Sequence, residues 1–426
     1  MKEKCNCLVA QSGGPTAAIN ASLAGVIKRA TESKKFDTIY GSINGIQGVL
    51  QQKIISLNET FSNNMEAIET LKTSPAMYLG SCRYKLPPIE INPMQYDFIF
   101  ETFRRMNIHA FFYIGGNDSM DTVDKLSKYA KLINYDISII GIPKTIDNDL
   151  CETDHTPGFG SAAKYVATTM LEIAHDTYIY DIKSVTIVEI MGRNAGWLTA
   201  ASALARNSYS NSPHLIYLPE RAFSTYNFIN DVNKLLEHKK NVIVAVSEGI
   251  KDESGKYLSA TNSIADEFGH AQLSGTGKYL EHLIKNTIGC KVRSIELNVL
   301  QRSAMHISSL TDINESFSLG EYAVEAAEQG LSACMLTITR TSNDPYTIKI
   351  DTTPIDKVAN AEKSVPLEWI NTAGNDVTPE IIDYMRPLIE GEPTIKYKNG
   401  IPDYLSIKHL LEPNSIHEKS FRKESS

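Results

Sequence analysis

The chain reads as an α/β protein of two lobes, each a mostly parallel sheet flanked by helices. Three observations predict this. Its 426 residues exceed the usual reach of one hydrophobic core, so a second core is expected. Apolar runs of strand length alternate with stretches whose apolar residues recur at helical spacing. The apolar runs end again and again in polar, glycine-rich turns, as in open parallel sheets, where ligands bind beyond the carboxyl ends of the strands. The expected architecture is therefore a pair of Rossmann-like lobes with an active site in the cleft between them.

The elements follow in order. "CLVAQ" is a short strand, "SGGPT" a turn of the kind that cradles anions with backbone N–H groups, and Ala17–Glu32 a helix with Ile19, Leu23, Val26 and Ala30 on its inner face. A second strand, Thr38–Tyr40, runs into a glycine-rich loop. The stretch "FFYIGGNDSMDTVDKL" begins as a buried strand at Phe111, turns at Gly115 and Gly116, and enters a helix near Ser119 whose inner stripe is Val123, Leu126, Ala130 and Ile133. "ISIIGIPKTIDNDL" is continuously apolar before its polar end, which is the mark of a strand covered on both faces. After "TPGFGSAAKY" the pattern restarts with a helix and the strands "SVTIVEI" and "NVIVAVS", which form the second lobe. "KDESGKYLSATN" reads as a solvated surface loop and "PNSIHEKSFRKESS" as a polar end that frays. Trp197 and Trp369 read as core anchors.

Composition excludes several classes. Forty-two Lys and Arg against fifty Asp and Glu leave a net charge of −8, without the basic footprint of a nucleic-acid binder. The 42% of hydrophobic residues are dispersed, and no run is long enough to span a bilayer. The first residues pass from a charged tip into a strand, unlike a signal peptide, so a cytoplasmic protein is expected. The six cysteines lack the paired spacing of a zinc site or a disulfide framework, and Cys5 and Cys7 read as core fillers.

Asp118 raises a question of charge. It stands in the glycine turn after the Phe111 strand, where an anion-binding cradle would be spoiled by a carboxylate. "PKTIDND" adds Lys144, Thr145, Asp147 and Asp149 at the next strand end. A salt-bridged turn is the plain reading of that cluster. The chemical reading pairs a lysine that neutralises phosphate with a carboxylate that deprotonates a hydroxyl. Arg83 in "GSCRY", Arg193 in "MGR" and Arg302 in "QR" favour the second reading, because guanidinium forks fit phosphate oxygens. His155 and His306 read as histidines that satisfy backbone groups.

In this order, "SGGPTAAIN", "LGSCRY", "GGNDS", "PKTIDND", "MGRNAGW", "SEGI" and "LNVLQR" resemble the phosphofructokinase family, and within it the pyrophosphate-dependent branch. The resemblance covers about seven tenths of the chain, from Ser12 to just past Arg302. It implies transfer of a phosphoryl group from diphosphate to O1 of fructose 6-phosphate, with Mg2+, in a homo-oligomer (dimer or tetramer) whose neighbours share the sugar site. Residue by residue, it implies that Gly14 and Lys144 bind the diphosphate, Arg83 stabilises the moving phosphoryl group and Asp147 takes the sugar's O1 proton. It further implies that Thr145, Ile146, Met191, Gly192, Arg193, Glu248 and Arg302 hold the sugar phosphate, and that Arg293 reaches it from a neighbouring subunit. The lobes implied are residues 1–158 with about 303–350 for the donor, and 159–302 with about 351–426 for the sugar phosphate.

The resemblance also resolves the question of Asp118. Relatives that use ATP usually carry glycine there and at Lys144. A carboxylate about 4 Å from a nucleotide's α-phosphate repels it by on the order of 4 kcal/mol at an effective dielectric near 20. That disfavours ATP roughly a thousandfold. Lys144 works in the opposite sense, supplying charge to a leaving phosphate that bears no nucleoside. Three positions depart from the family. Asn117 stands where relatives carry a magnesium-binding aspartate, Val299 replaces a sugar-binding histidine, and Ser184 replaces a subunit-crossing arginine, with Lys183 beside it. The last two departures leave a seven-carbon ketose phosphate open as a second acceptor. The rival readings are an ATP-dependent phosphofructokinase, a non-catalytic sugar-phosphate sensor and, last, a dinucleotide oxidoreductase.

Overall fold

The computed structural model describes residues 4–258, 275–359 and 361–407. Eleven strands build its two large sheets: β1 (Cys5–Gln11), β2 (Phe36–Ser42), β3 (Ile54–Ser56), β4 (Ile108–Gly115), β5 (Ser138–Pro143), β6 (Ser184–Ile190), β7 (Leu215–Tyr217), β8 (Asn241–Ser247), β9 (Lys291–Glu296), β10 (Cys334–Asn343) and β11 (Tyr346–Pro354). The first sheet has the order β11-β10-β5-β4-β1-β2-β3 and is parallel except where β3 and β11 pair at its two edges. The second, β7-β8-β6-β9, is wholly parallel. Two mostly parallel, helix-flanked sheets are what the sequence pattern predicts.

β1 lies between β2 and β4, so the chain leaves it in opposite directions on its two sides. Loops at such a reversal splay apart and leave a crevice beyond the strand ends. The turns after β1, β4 and β5 are the three that carry the chemical motifs. The Ile19–Glu32 helix starts two residues later than expected, because the Thr16 side chain accepts from the Ile19 N–H at 2.9 Å and fixes the entry. The helix after β4 spans Asn117–Leu132, which brings Asn117 and Asp118 into its first turn. Its expected stripe is buried at Val123, Leu126 and Ala130, and Ile133 packs beside it just past the helix end. Cys7 is buried and Cys5 packs against the same core.

The Leu310–Glu328 helix fastens the late part of the chain to the first lobe. It crosses Ile19–Glu32 so closely that a Cβ on Gly320 would lie 2.0 Å from the Ser22 carbonyl oxygen, and one on Gly25 would lie 2.0 Å from that of Phe317. Lys28–Glu321 at 2.6 Å and Arg29–Glu325 at 3.3 Å flank the crossing. The segment after 351 divides between the lobes. Val365, Ile370, Val377, Ile381 and Leu388 bury with the second core, whereas Leu405 and Ile407 return to the first. Trp197 stacks edge-on with Trp369, their ring centres 6.1 Å apart, inside the second core. Residues 253–256 are exposed, Leu258 packs against the second lobe's core, and the rest of that loop, like the polar end 413–426, lies outside the described residues. Among the described residues no helix is long and apolar enough to cross a membrane.

Candidate active site

A cleft of about 640 Å³ opens between the sheets and takes its walls from both. The first sheet contributes Ser12–Thr16 after β1, Gly116–Ser119 after β4 and Lys144–Ile146, Asp147 and Asp149 after β5. Met191 and Arg193 after β6 and Glu248 after β8 face them from the second. Arg83 and Arg302 complete the cationic lining. Of the residues singled out in the sequence, Gly14, Arg83, Asn117, Asp118, Lys144, Thr145, Ile146, Asp147, Met191, Arg193, Glu248 and Arg302 therefore meet in one cavity. Gly192 adjoins it, donating its N–H to the Glu248 carboxylate at 3.4 Å.

The glycine turn lets cations come close. Gly13 has φ +81°, a conformation disfavoured for other residues, and a Cβ there would sit 3.1 Å from Lys144 Nζ. Lys144 is buried, and its ammonium donates to the Gly14 carbonyl at 2.8 Å. A Cβ on Gly14 would lie 3.4 Å from an Arg302 guanidinium nitrogen. Burial pushes the Lys144 ammonium down to about 8, with Asp147 opposing that shift and Arg302 adding to it. Arg302 is lowered too, by burial first and by the Arg83 charge second. The buried Nε atoms of Arg193 and Arg302 have no hydrogen-bond partner among the described residues. Cations crowded together with unused donors form a receptacle for anionic oxygens.

Asp147 stands against this positive region. Thr145 Oγ1 donates to its carboxylate at 3.3 Å and accepts its N–H at 3.1 Å. Burial raises its pKa, and Thr145 and Lys144 hold the rise back. Asp149 is pushed up to about 7, by burial first and then by the charges of Asp147 and Glu362. Glu248 also rises to about 7, for burial first and the Asp147 charge after the Gly192 hydrogen bond that opposes it. A carboxylate raised toward neutrality and placed beside cations suits the removal of a hydroxyl proton.

Asp118 lines the cleft, 4.0 Å from the Lys85 ammonium. The Asn117 side chain donates to the Ala361 carbonyl at 2.8 Å. Among the described residues no three His, Cys, Asp or Glu side chains cluster as a ready-made metal site.

One sequence reading needs revision. His155 does not satisfy backbone groups: both its ring nitrogens face carboxylates, Asp154 at 2.8 Å and Glu315 at 2.7 Å. Arg293 lies outside the cleft, on the edge strand β9, paired with Asp176 at 3.1 Å. Lys85, Asn194 and Glu362 line the cleft without having been singled out. Glu362 accepts from Asn194 at 3.2 Å and lies in a segment with neither period nor glycine turn, so nothing in the sequence marked it. Lys85, two residues from Arg83, was findable.

Cations gathered beside buried carboxylates in an interlobe cleft suit phosphoryl transfer, and fold and site together define a two-lobed phosphotransferase. The family model described as Phosphofructokinase matches residues 6–327. The chain belongs to the phosphofructokinase family. A pyrophosphate–fructose 6-phosphate 1-phosphotransferase of Methylococcus capsulatus is 40% identical over 414 residues, covering 96% of this chain and 98% of its own. One of the same description from Xanthomonas campestris is 42% identical over 408 residues, covering 95% and 96%. The crystal structure of a pyrophosphate-dependent phosphofructokinase from Nitrosospira multiformis superposes with a TM-score of 0.86 at 38% identity, covering 95% of this chain and 97% of that one.

Proposed function

We propose that the protein transfers the terminal phosphoryl group of diphosphate to O1 of fructose 6-phosphate, reversibly, giving fructose 1,6-bisphosphate and phosphate. The observation that carries this reading is the pairing of Asp118 in the first turn of a helix at the donor end with the buried Lys144 beneath the glycine turn. The relatives' names support the same donor and acceptor.

In this reading Asp147 removes the O1 proton as the oxygen attacks. Lys144 and Arg83 compensate the charge on the transferring and leaving phosphates, and the Gly13–Gly14 turn lets those phosphates approach the backbone. Glu248 and Arg193 orient the sugar, and Arg302 holds its phosphate. Magnesium supplies charge neutralisation on the diphosphate when bound. The donor set suits it: Asp147 and Asp149 line the cleft with the amide of Asn117, and magnesium needs only one or two protein carboxylates besides phosphate oxygens and water. The lobes divide the work, the first binding the donor and the second the sugar phosphate. We place Arg293 in the sugar-phosphate site of a neighbouring copy, where exchange of Asp176 for a phosphate would complete a homo-oligomer's site.

The test is a donor comparison on purified protein with fructose 6-phosphate and magnesium. Rapid formation of fructose 1,6-bisphosphate with diphosphate, and roughly a thousandfold lower kcat/KM with ATP, is expected from the charge argument. Equal use of both donors would overturn it.

A further inference from the structure

Behind the Thr145–Asp149 loop lies a buried ionic network that the reaction as described leaves unused. His155 is 2% exposed and lies between two carboxylates, Nδ1 at 2.8 Å from Asp154 and Nε2 at 2.7 Å from Glu315. A carboxylate only accepts, so both ring nitrogens donate and the ring is an imidazolium. Each carboxylate has a further donor: Arg340 on Asp154 at 2.9 Å and the Tyr346 hydroxyl on Glu315 at 2.7 Å. The imidazolium and Arg340 thus face the two carboxylates directly, and the Lys363 ammonium sits behind them on the Asp154 carbonyl at 2.7 Å.

This network is laced to the loop. The Tyr384 hydroxyl donates to the Asp154 carbonyl at 2.7 Å and accepts from the Asn148 side chain at 2.9 Å. Asn148 holds a left-handed backbone, φ 54°, immediately after Asp147, and its side-chain Oδ1 accepts the Thr156 N–H at 3.1 Å. The Thr156 hydroxyl donates to the Thr145 carbonyl at 2.8 Å, closing the lattice from the other side. The network also spans the lobes. Glu315 and Arg340 belong to first-lobe elements, whereas Tyr384 lies on the Pro379–Met385 helix of the second core, and Arg340 donates to its carbonyl at 2.9 Å.

We propose that His155 is a positioning residue for Asp147: as an imidazolium between Asp154 and Glu315 it fixes the segment 153–157, and through Tyr384 and Asn148 it holds the loop in its reactive geometry across the lobe junction. This rests on reading Asp147 as the acceptor of the sugar proton. A strained backbone one residue from the base needs such external support.

Tyr384→Phe tests the link without removing a charge, because its ring keeps its packing against Trp197 and Trp369. In the full chain we expect kcat with diphosphate and fructose 6-phosphate to fall by up to about 100-fold, as for a base displaced by an ångström, with both KM values unchanged. His155→Gln should give a comparable loss. Nitrogen NMR on the wild type, with His155→Gln assigning the signal, should show both ring nitrogens protonated at pH 8. Unchanged kcat in folded Tyr384→Phe, or a singly protonated ring at pH 7, overturns the proposal. If the wild type does not turn over these substrates, the functional reading fails first. The NMR signal and faster amide exchange across Thr145–Asp149 in Tyr384→Phe then decide the clamp alone, and unaltered exchange rejects it.

Discussion

The two ends of the cleft are built differently. At the end we assign to the donor, one chain supplies a glycine turn at φ +81°, a buried lysine bonded to it, and the Thr145–Asp149 loop, tied from behind through Asn148, Tyr384 and the His155 network. At the end we assign to the sugar phosphate, the buried Nε of Arg193 has no hydrogen-bond partner among the described residues, and Arg293 lies on an edge strand against Asp176. The donor end is preorganised, and the sugar end awaits both its ligand and, in our reading, a neighbouring copy. Preorganised charge serves the chemical step, because nothing reorganises as the transition state forms. A site finished by ligand or neighbour serves affinity.

Substitutions at the two ends should then separate by kinetic constant. The largest effect expected is at the base: Asp147→Asn lowers kcat by about 10²–10⁴-fold with the KM for fructose 6-phosphate little changed, as steady-state rates would show. A rise in KM alone would blur the comparison.

The preorganised end should also carry pH-dependent stability. Burial alone would depress the His155 pKa, but the Glu315 charge and the hydrogen bonds to Asp154 and Glu315 outweigh it and push the imidazolium up to about 9. A proton held more tightly in the folded than in the unfolded chain stabilises fully below about pH 6.5, and that contribution is lost as pH rises through about 9. The other charges around the ring are Arg340, which adds to the positive side, and Lys363, whose ammonium donates to the Asp154 carbonyl at 2.7 Å. Denaturant midpoints at pH 6 and pH 10 should converge between wild type and His155→Gln at the higher pH. A constant gap would contradict the assignment.

The helix crossing under the donor end should be intolerant of volume. Gly320→Ala places a methyl 2.0 Å from the Ser22 carbonyl oxygen and should destabilise by about 1–3 kcal/mol in urea titration, lowering activity only through unfolding. The smallest effect falls at the sugar end. Arg293→Ala should raise the KM for fructose 6-phosphate about tenfold, roughly the 1.4 kcal/mol of one charge-assisted contact, and leave the KM for diphosphate alone. A matching rise in both constants would place Arg293 at neither end.

How much of this the sequence displayed follows from how local each signal is. Gly13–Gly14, Gly115–Gly116 and Lys144–Asp149 each sit where an apolar run breaks into polar residues, so periodicity and glycine mark them without any long-range information. Arg83, Arg193 and Arg302 were legible as phosphate ligands only as a group, since a single arginine at a turn has plainer explanations, and the family resemblance supplied their separate roles. The His155 network was not legible. Its partner Glu315 is 160 residues away and looks like any acidic residue on a helix. Glu362 and the return of Leu405 and Ile407 to the first core depend on tertiary packing of a segment with no repeating pattern.

The most direct measurement is the ratio of kcat/KM for diphosphate to that for ATP in the wild type and in the Asp118→Gly, Lys144→Gly double variant. If Asp118 repels a nucleotide and Lys144 serves a bare anhydride, the ratio strongly favours diphosphate in the wild type and falls by roughly a thousandfold in the double variant. A ratio that both proteins share would show that the donor is chosen elsewhere in the cleft.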